Sequence, residues 1–160
     1  MGSYYNPVNI KIDSLEAVEN VLKTADAHLG KVLLLTRGGD FSASEAGQTL
    51  EQCLAAYEVK KLDVQLSNPD VEDLFHSIKE MNGFDYQCVI GIGGGSVLDL
   101  AKSLAAVKGM AIHTVTDLRT VIKEKRYENN ADIVPWIAIP TTSGTGSEVT
   151  CWATVWDSAN

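Results

Sequence analysis

The sequence is poor in the residues that build disulfide frameworks, metal centres and membrane spans. Its 160 residues include three cysteines and three histidines, and neither set has the spacing of a metal site. An odd number of widely separated cysteines argues against a disulfide framework, so we expect a reducing compartment, the cytoplasm. No apolar run approaches the length of about 18 residues that a membrane-spanning helix needs. The N-terminus combines neither a basic region nor an apolar stretch, so no signal peptide is expected.

Basic residues are also scarce. The 13 Lys and Arg against 21 Asp and Glu give a formal net charge of −8, which argues against a nucleic-acid groove or an anionic membrane surface as partner. A small phosphorylated ligand is compatible with this charge, because backbone amides and hydroxyls hold phosphate locally. The length and the hydrophobic content of 45% predict one globular domain with a substantial core.

Apolar runs alternate with helical patterns along the chain. The runs predict strands at 8–12, 31–36, 62–66, 88–92 and 133–139. Helices are predicted between them, at 13–28, 44–57, 71–81 and from Ser96 onward, whereas 111–130 is predicted to be irregular or short helical structure. This alternation predicts an α/β fold: a Rossmann-like parallel sheet with helices on both faces.

Three consecutive glycines separate the strand at 88–92 from the helix that begins near Ser96. A turn without side chains at Gly93–Gly95 lets a ligand approach the backbone, and the N–H groups and dipole of a helix start attract phosphate. Neither the G-x-G-x-x-G pattern nor the P-loop pattern fits, since the sixth position counted from Gly91 is Ser96. We interpret the turn as the seat of a dinucleotide pyrophosphate; a merely flexible turn is the alternative.

A hydroxyl-rich loop follows the last predicted strand. Pro140–Thr150 contains six Ser or Thr hydroxyls and two glycines, and hydroxyls bind phosphate and ribose oxygens without adding charge. Because ligands of parallel sheets lie beyond the carboxyl ends of the strands, we expect this loop, the glycine turn and the turn at Arg37–Asp40 to share one rim. Taken alone, a cluster of Ser, Thr and Gly is more often a plain solvated loop, and its pairing with the glycine turn favours the binding interpretation.

Few other residues have a pattern that points to chemistry. Asp99 and Lys102 lie one turn apart on the helix after the glycines. They form either a surface ion pair or a functional pair in which Asp99 accepts from a cofactor hydroxyl or amide and Lys102 supports it. No Ser/His/Asp set or carboxylate pair can be assembled, so no catalytic residue is predicted.

Two segments together resemble the iron-containing (group III) alcohol dehydrogenases. These are Gly93–Lys102 and Pro140–Thr150, and the similarity extends along the whole chain. The resemblance implies that 1–160 is an NAD(P)-binding α/β domain. In that family a helical domain follows and binds Fe²⁺ or another divalent ion through one Asp and three His, and the resemblance implies that it would begin just past Asn160. The chain alone is therefore expected to hold no metal and to be inactive.

The resemblance also implies roles for individual residues. Those near the pyrophosphate and its ribose are Gly94, Gly95, Ser96 and Asp99. Thr141, Thr142 and Thr145 would line the adenosine and phosphate side, with Asn68 near the adenine ribose and with further contacts from Lys102 and Thr150.

The turn after the second predicted strand bears on the choice of cofactor. NAD-using members of the family tend to carry an Asp where this chain has Arg37. An arginine followed by Gly38 and Gly39 suits the 2′-phosphate of NADP, although Asp40 nearby could still serve NAD. We therefore predict NADP over NAD.

The substrate implied by the resemblance is a small alcohol or aldehyde, acted on by the full-length protein. Tyr4–Asn9 and Ala153–Asp157 are similar to the phosphonoacetaldehyde reductase branch of the family. A homo-oligomer is possible if an apolar interface is exposed. The alternatives are a stand-alone module that binds a nucleotide or phosphorylated metabolite without catalysis, and a purely structural domain.

Overall fold

The computed structural model describes residues 14–25, 29–38, 41, 43–65 and 67–158. The predicted strand at 8–12 lies outside these ranges, as do Gly39 and Asp40. No helix in the described ranges is long and apolar enough to cross a membrane.

Four parallel strands form one sheet in the order β2-β1-β3-β4 within the described part of the chain. The strands are β1 (Lys31–Thr36), β2 (Glu58–Asp63), β3 (Cys88–Gly93) and β4 (Trp136–Pro140). The helices are α1 (Ala17–Ala25), α2 (Glu45–Cys53), α3 (Val71–Glu80), α4 (Gly95–Val107) and α5 (Val115–Lys123), followed by a 3₁₀ turn at Arg126–Asn129. The predicted α/β fold with a parallel sheet is confirmed.

The two faces of the sheet are covered by different helices. Because side chains alternate along a strand, Leu33, Leu35 and Val89 pack on α3, α4 and α5. Their neighbours Val32 and Leu34 pack on the opposite face, against α1 and α2. Buried on both faces, β1 and β3 read as continuous apolar runs, which is why the sequence located them well.

In the part of the chain that the structure describes, three helices begin with a side-chain cap, and the capping residues are of types that favour this position in sequence. Ser44 accepts from the N–H of Gly47 at the start of α2. Asp70 and Asp73 form a capping box at α3, and Thr114 and Asp117 form one at α5. The helix α4 differs, because its N-cap is Gly94 and no side chain caps it.

The second strand is not where the sequence placed it. The apolar alternation of Leu62 and Val64 predicted 62–66, but the ladder with β1 joins Glu58–Asp63. The strand lies at the sheet edge within the described residues, where lysines are accommodated by their long stems. Lys60, for example, reaches over the Phe84 ring and donates to the carbonyl of Glu80.

Three further predictions needed correction. The last strand begins at Trp136 rather than at 133, since Pro135 has no N–H for a ladder and Ile133 is 58% exposed. The region 111–130, predicted as irregular or short helical structure, contains the regular helix α5. The helix α2 ends at Cys53, before the predicted end at 57.

Candidate cofactor-binding site

The carboxyl end of β3 and the start of α4 form the centre of the candidate site. The N-cap Gly94 has φ −80° and ψ −176°, and its carbonyl accepts from the N–H groups of Val97 and Leu98. The preceding donors, the N–H groups of Gly95 and Ser96, have no acceptor in the described part of the chain. These donors lie at the positive end of the α4 dipole, directly after the carboxyl end of β3, an arrangement that suits an anion.

The hydroxyl-rich loop lies directly against the two glycines. A Cβ built on Gly94 would lie 3.1 Å from Oγ1 of Thr142, and one built on Gly95 would lie 3.0 Å from Cγ2 of Thr145. The loop is held here because the N–H of Thr141 donates to the carbonyl of Gly93 at 3.0 Å. The structure therefore brings together two motifs that are far apart in sequence, and these are two of the three segments expected to share this rim.

Asn68 approaches the same helix terminus from a third loop. Its backbone is left-handed, with φ 57°, a conformation that Asn tolerates better than most residues. Its N–H donates to Oγ of Ser96 at 3.1 Å. This contact leaves the Ser96 hydroxyl proton available to a ligand while it fixes the position of the oxygen.

These loops enclose a cleft of about 320 Å³. Its lining includes four predicted site residues from α4 and the loops beside it, Gly95, Ser96, Asp99 and Asn68, and a fifth, Thr145, from the hydroxyl loop. Pro69, Ser147, Thr154 and Trp156 complete the lining and were not among the predicted cofactor-binding residues.

Asp99 and Lys102 connect α4 to the segment 147–157, which forms the far side of the cleft. They are not a surface ion pair. Their side chains are 13% and 10% exposed, with Nζ and Oδ1 3.8 Å apart. The other Asp99 oxygen, Oδ2, accepts from the N–H of Thr154 at 3.2 Å. Asp99 thus both lines the cleft and fixes its far wall.

The Lys102 ammonium group is taken up by protein oxygens. It donates to the carbonyls of Ser147 (2.9 Å) and Trp152 (2.5 Å) and to the hydroxyl of Thr150 (3.4 Å), and it lies 5.2 Å from the centre of the Trp136 ring. Burial lowers the pKa of this ammonium group, and Asp99 opposes that effect. In this structure Lys102 and Thr150 support the loop from behind the cleft.

A second cation holds the end of that segment. Arg119 on α5 binds Asp157 through two nitrogens and Glu72 on α3 at 2.6 Å, and these carboxylates raise the pKa of the guanidinium further above its usual value. The N–H of Trp156 donates to the carbonyl of Pro69 at 3.0 Å, and the carbonyl of Trp156 accepts from the N–H of Val71 at 2.8 Å. The resemblance noted at Ala153–Asp157 did not predict that this segment borders the cleft, because its position depends on contacts with distant helices.

The turn after β1 stands apart from the cleft. Gly38 follows β1, beside the end of β2, and is not among the residues that line the cleft. Arg37 is exposed. Within the described residues, no three His, Cys, Asp or Glu side chains are grouped so that they could bind a metal ion.

Comparisons with known proteins give the family context. The family model of the iron-containing alcohol dehydrogenases matches residues 7–160. The chain is 33% identical to choline dehydrogenase of Bacillus subtilis over 130 residues, which are 81% of this chain and 32% of that protein. It is 32% identical to the NADPH-dependent butanol dehydrogenase of Clostridium saccharobutylicum over 103 residues, 64% of this chain and 26% of that protein.

A solved structure has the same fold. The sulfoacetaldehyde reductase of Bifidobacterium kashiwanohense, in complex with NAD⁺, matches with a TM-score of 0.72 at 24% identity. The match covers 94% of this chain and 39% of that one. The chain therefore spans about a third of the length of the proteins that it matches.

Proposed function

Since the chain belongs to the iron-containing alcohol dehydrogenase family, we propose that it is the NAD(P)-binding domain of a metal-dependent alcohol dehydrogenase or aldehyde reductase. Residues 1–160 form this domain in the proposal, and a helical domain of the longer protein carries the metal. The observation that carries the proposal is the uncapped start of α4, which faces a cleft rimmed by hydroxyls.

The geometry of the cleft fits a dinucleotide diphosphate. The donors that would hold it are the N–H groups of Gly95 and Ser96, together with the Ser96 and Thr145 hydroxyls. Each such bond to a charged oxygen is stronger than one between neutral groups, and Gly94 adds no side chain that would keep the phosphates from the backbone. The carboxylate of Asp99 suits a ribose hydroxyl or an amide N–H as its partner. Thr141 and Thr142 extend this surface toward the adenosine side.

The cofactor that we propose is NADP in preference to NAD. The exposed guanidinium of Arg37 and the small residue Gly38 favour a ribose that carries a 2′-phosphate. One relative is named as NADPH-dependent and one structural neighbour was solved with NAD⁺, so both cofactors occur among similar proteins.

The reaction that we propose is the reduction of an aldehyde or the oxidation of an alcohol. The bound nicotinamide supplies hydride exchange with the substrate carbon, and the residues of this chain bind and orient the cofactor without donating or accepting a proton at the substrate. An aldehyde with an acidic group, as in the phosphonoacetaldehyde reductase branch, is the substrate class we favour, and a sulfoacetaldehyde reductase is among the structural neighbours. We expect a cytoplasmic protein, and self-association would agree with the exposed Trp152 and Trp156.

Two measurements test the proposal. Titration of the protein with NADPH and NADH, followed by cofactor fluorescence, is expected to show saturable binding of both, with NADPH bound more tightly. No binding of either cofactor would contradict the proposed function. In the longer protein, Fe²⁺ and an aldehyde should support NADPH oxidation. The 160-residue chain alone should support none, so sustained turnover by it would contradict the domain assignment.

A further inference from the structure

A carboxylate lies against the turn that follows β1. Asp63 is the last residue of β2, and it is paired in register with Thr36, the last residue of β1. The N–H of Val64 donates to the carbonyl of Thr36 at 2.7 Å and keeps the two strand ends side by side. A Cβ built on Gly38 would lie 2.9 Å from Oδ1 and 3.0 Å from Oδ2 of Asp63. The carboxylate therefore occupies the space that any side chain at Gly38 would need.

A neighbouring amide fixes the orientation of this carboxylate. Nε2 of Gln65 donates to Oδ2 of Asp63 at 3.2 Å, and the same nitrogen would lie 3.0 Å from a Cβ on Gly38. Asp63 is exposed, so its carboxylate can accept a hydrogen bond from a ligand that lies over the turn.

The position of Asp63 in the sheet makes it a candidate reader of the ribose. In dinucleotide-binding sheets, the 2′ position of the adenosine ribose is recognised by a side chain at the end of a strand next to the glycine-rich strand. Here β1 lies next to the glycine-rich strand β3, and its end carries Arg37 and Gly38. Asp63 reaches over from β2, so two opposite charges flank the same turn.

We infer that Asp63 is a specificity-determining residue for the nicotinamide cofactor. Its carboxylate accepts a hydrogen bond from the ribose 2′-hydroxyl of NAD and repels the 2′-phosphate of NADP, whereas Arg37 attracts that phosphate. The preference of the protein for NADP over NAD reflects both charges. It is therefore weaker than the preference that Arg37 alone would produce. The inference rests on the proposed function, because it requires that the site binds a dinucleotide.

The test compares cofactor affinities in matched variants. Asp63→Asn keeps the shape of the side chain and removes its charge. Glu58→Gln makes the same change at the opposite end of β2, about 16 Å away along the strand, where Glu58 pairs with Lys31. Kd values for NADH and NADPH are measured by fluorescence titration in the wild type and both variants. Asp63→Ser serves as a second variant, and circular dichroism reports folding.

The expected result is a change of opposite sign for the two cofactors. Asp63→Asn should raise the Kd for NADH about fivefold and lower that for NADPH about twofold, a tenfold change in their ratio. Glu58→Gln should leave the ratio within about twofold. A loss of structure alone would weaken both cofactors together, so opposite shifts distinguish recognition from packing.

The other outcomes contradict either the inference about Asp63 alone or the proposed function as well. If the wild type binds both cofactors and the ratio is unchanged in Asp63→Asn and Asp63→Ser, the inference is wrong and the proposed function stands. The inference also fails if Asp40→Asn produces the shift and Asp63→Asn does not. If the wild type binds neither cofactor, the proposed function fails and the inference fails with it.

Discussion

Two kinds of helix N-terminus occur in the described part of the chain, and the contrast between them locates the site. The helices α3 and α5 begin with capping boxes, in which Asp70 and Thr114 accept backbone N–H groups and acidic side chains reach back to the cap. The helix α4 begins with Gly94, which offers no side chain to its donors. At α3 and α5 the side chains of the capping boxes occupy the space in front of the first turn, two of them acidic at α3 and one at α5. At α4 no side chain caps the helix, so its first N–H groups are open to an anion.

The groups that surround the N-termini of α3, α4 and α5 show the same contrast. The hydroxyl of Thr142 and the methyl group of Thr145, both from the hydroxyl-rich loop, lie against the start of α4, and Ser96 there accepts from the N–H of Asn68 in another loop. At α5, by contrast, the Asp117 carboxylate occupies the N–H groups of His113 and Thr114. A missing cap is therefore informative only where the fold also brings ligand-binding groups to it.

The largest expected effect comes from giving α4 the cap that it lacks. Gly94→Asp places a carboxylate within reach of the N–H of Ser96, but its Cβ would lie 3.1 Å from Oγ1 of Thr142, which has to move. Because the new cap and this close contact oppose each other, we expect stability to change by less than about 0.5 kcal/mol. Cofactor affinity should nevertheless fall about 100-fold, since the new group takes a donor from the diphosphate and repels it. Thermal unfolding and NADPH titration measure the two effects on one sample.

A carboxylate added to a capped terminus is the matched control. Thr116 is exposed in the first turn of α5, and Thr116→Asp should change NADPH affinity by less than about twofold. Equal losses of affinity in the two variants, or none in Gly94→Asp, would break the contrast between the termini.

The next largest effect concerns the support behind the open terminus. Lys102→Met removes a donor from the carbonyls of Ser147 and Trp152, of which the second still accepts from the Thr150 hydroxyl, and it removes the cation beside Asp99. We expect a loss of about 2 kcal/mol in the free energy of unfolding and about tenfold in cofactor affinity, measured by urea unfolding and by titration. Lys102→Arg should restore part of both.

An exposed lysine provides the comparison for that variant. Lys123→Met, at the end of α5, should stay within about 0.5 kcal/mol of the wild type. If Lys102→Met behaves in the same way, Lys102 does not position the loop.

The contrast between the termini was only partly predictable from sequence. The glycine turn and the hydroxyl loop were recognised because each follows a clear apolar run, which is the fully buried β3 in one case and the partly buried β4 in the other. The capping box of Thr114 and Asp117 was present in the sequence as T-x-x-D before Leu118 and Val121, but the region was predicted only as irregular or short helical structure. These capping residues alone were enough to predict the start of a regular helix there.

Other features could not have been predicted, because they depend on contacts between distant segments. Thr154 and Trp156 reach the cleft through the Asp99 carboxylate and the backbone of Pro69, and no local pattern encodes such contacts. The strand β2 was misplaced since an edge strand tolerates charged residues, so its apolar alternation is weak. The approach of Asp63 to Gly38 likewise follows from the register of β2 on β1.

The smallest expected effect is a difference in pH dependence between the termini. Hydrogen bonds from Thr114 and then from His113 hold the pKa of Asp117 below its ordinary value of 3.8. The stabilisation that this carboxylate gives α5 is therefore complete above 3.8 and is lost as pH falls through the lowered pKa. Amide chemical shifts of His113 and Thr114 should follow that titration, and Asp117→Asn should abolish it. Those of Gly95 and Ser96 should not show it, because no carboxylate caps α4.

The central claim is that the open donors of α4 hold the cofactor diphosphate. Amide resonances of the ¹⁵N-labelled chain, followed during addition of NADPH, test it most directly. Those of Gly95 and Ser96 should shift and saturate, whereas those of Asp73 and Asp117 inside the capping boxes should stay in place. Unchanged resonances at Gly95 and Ser96, or equal shifts at all three helix starts, would contradict the claim.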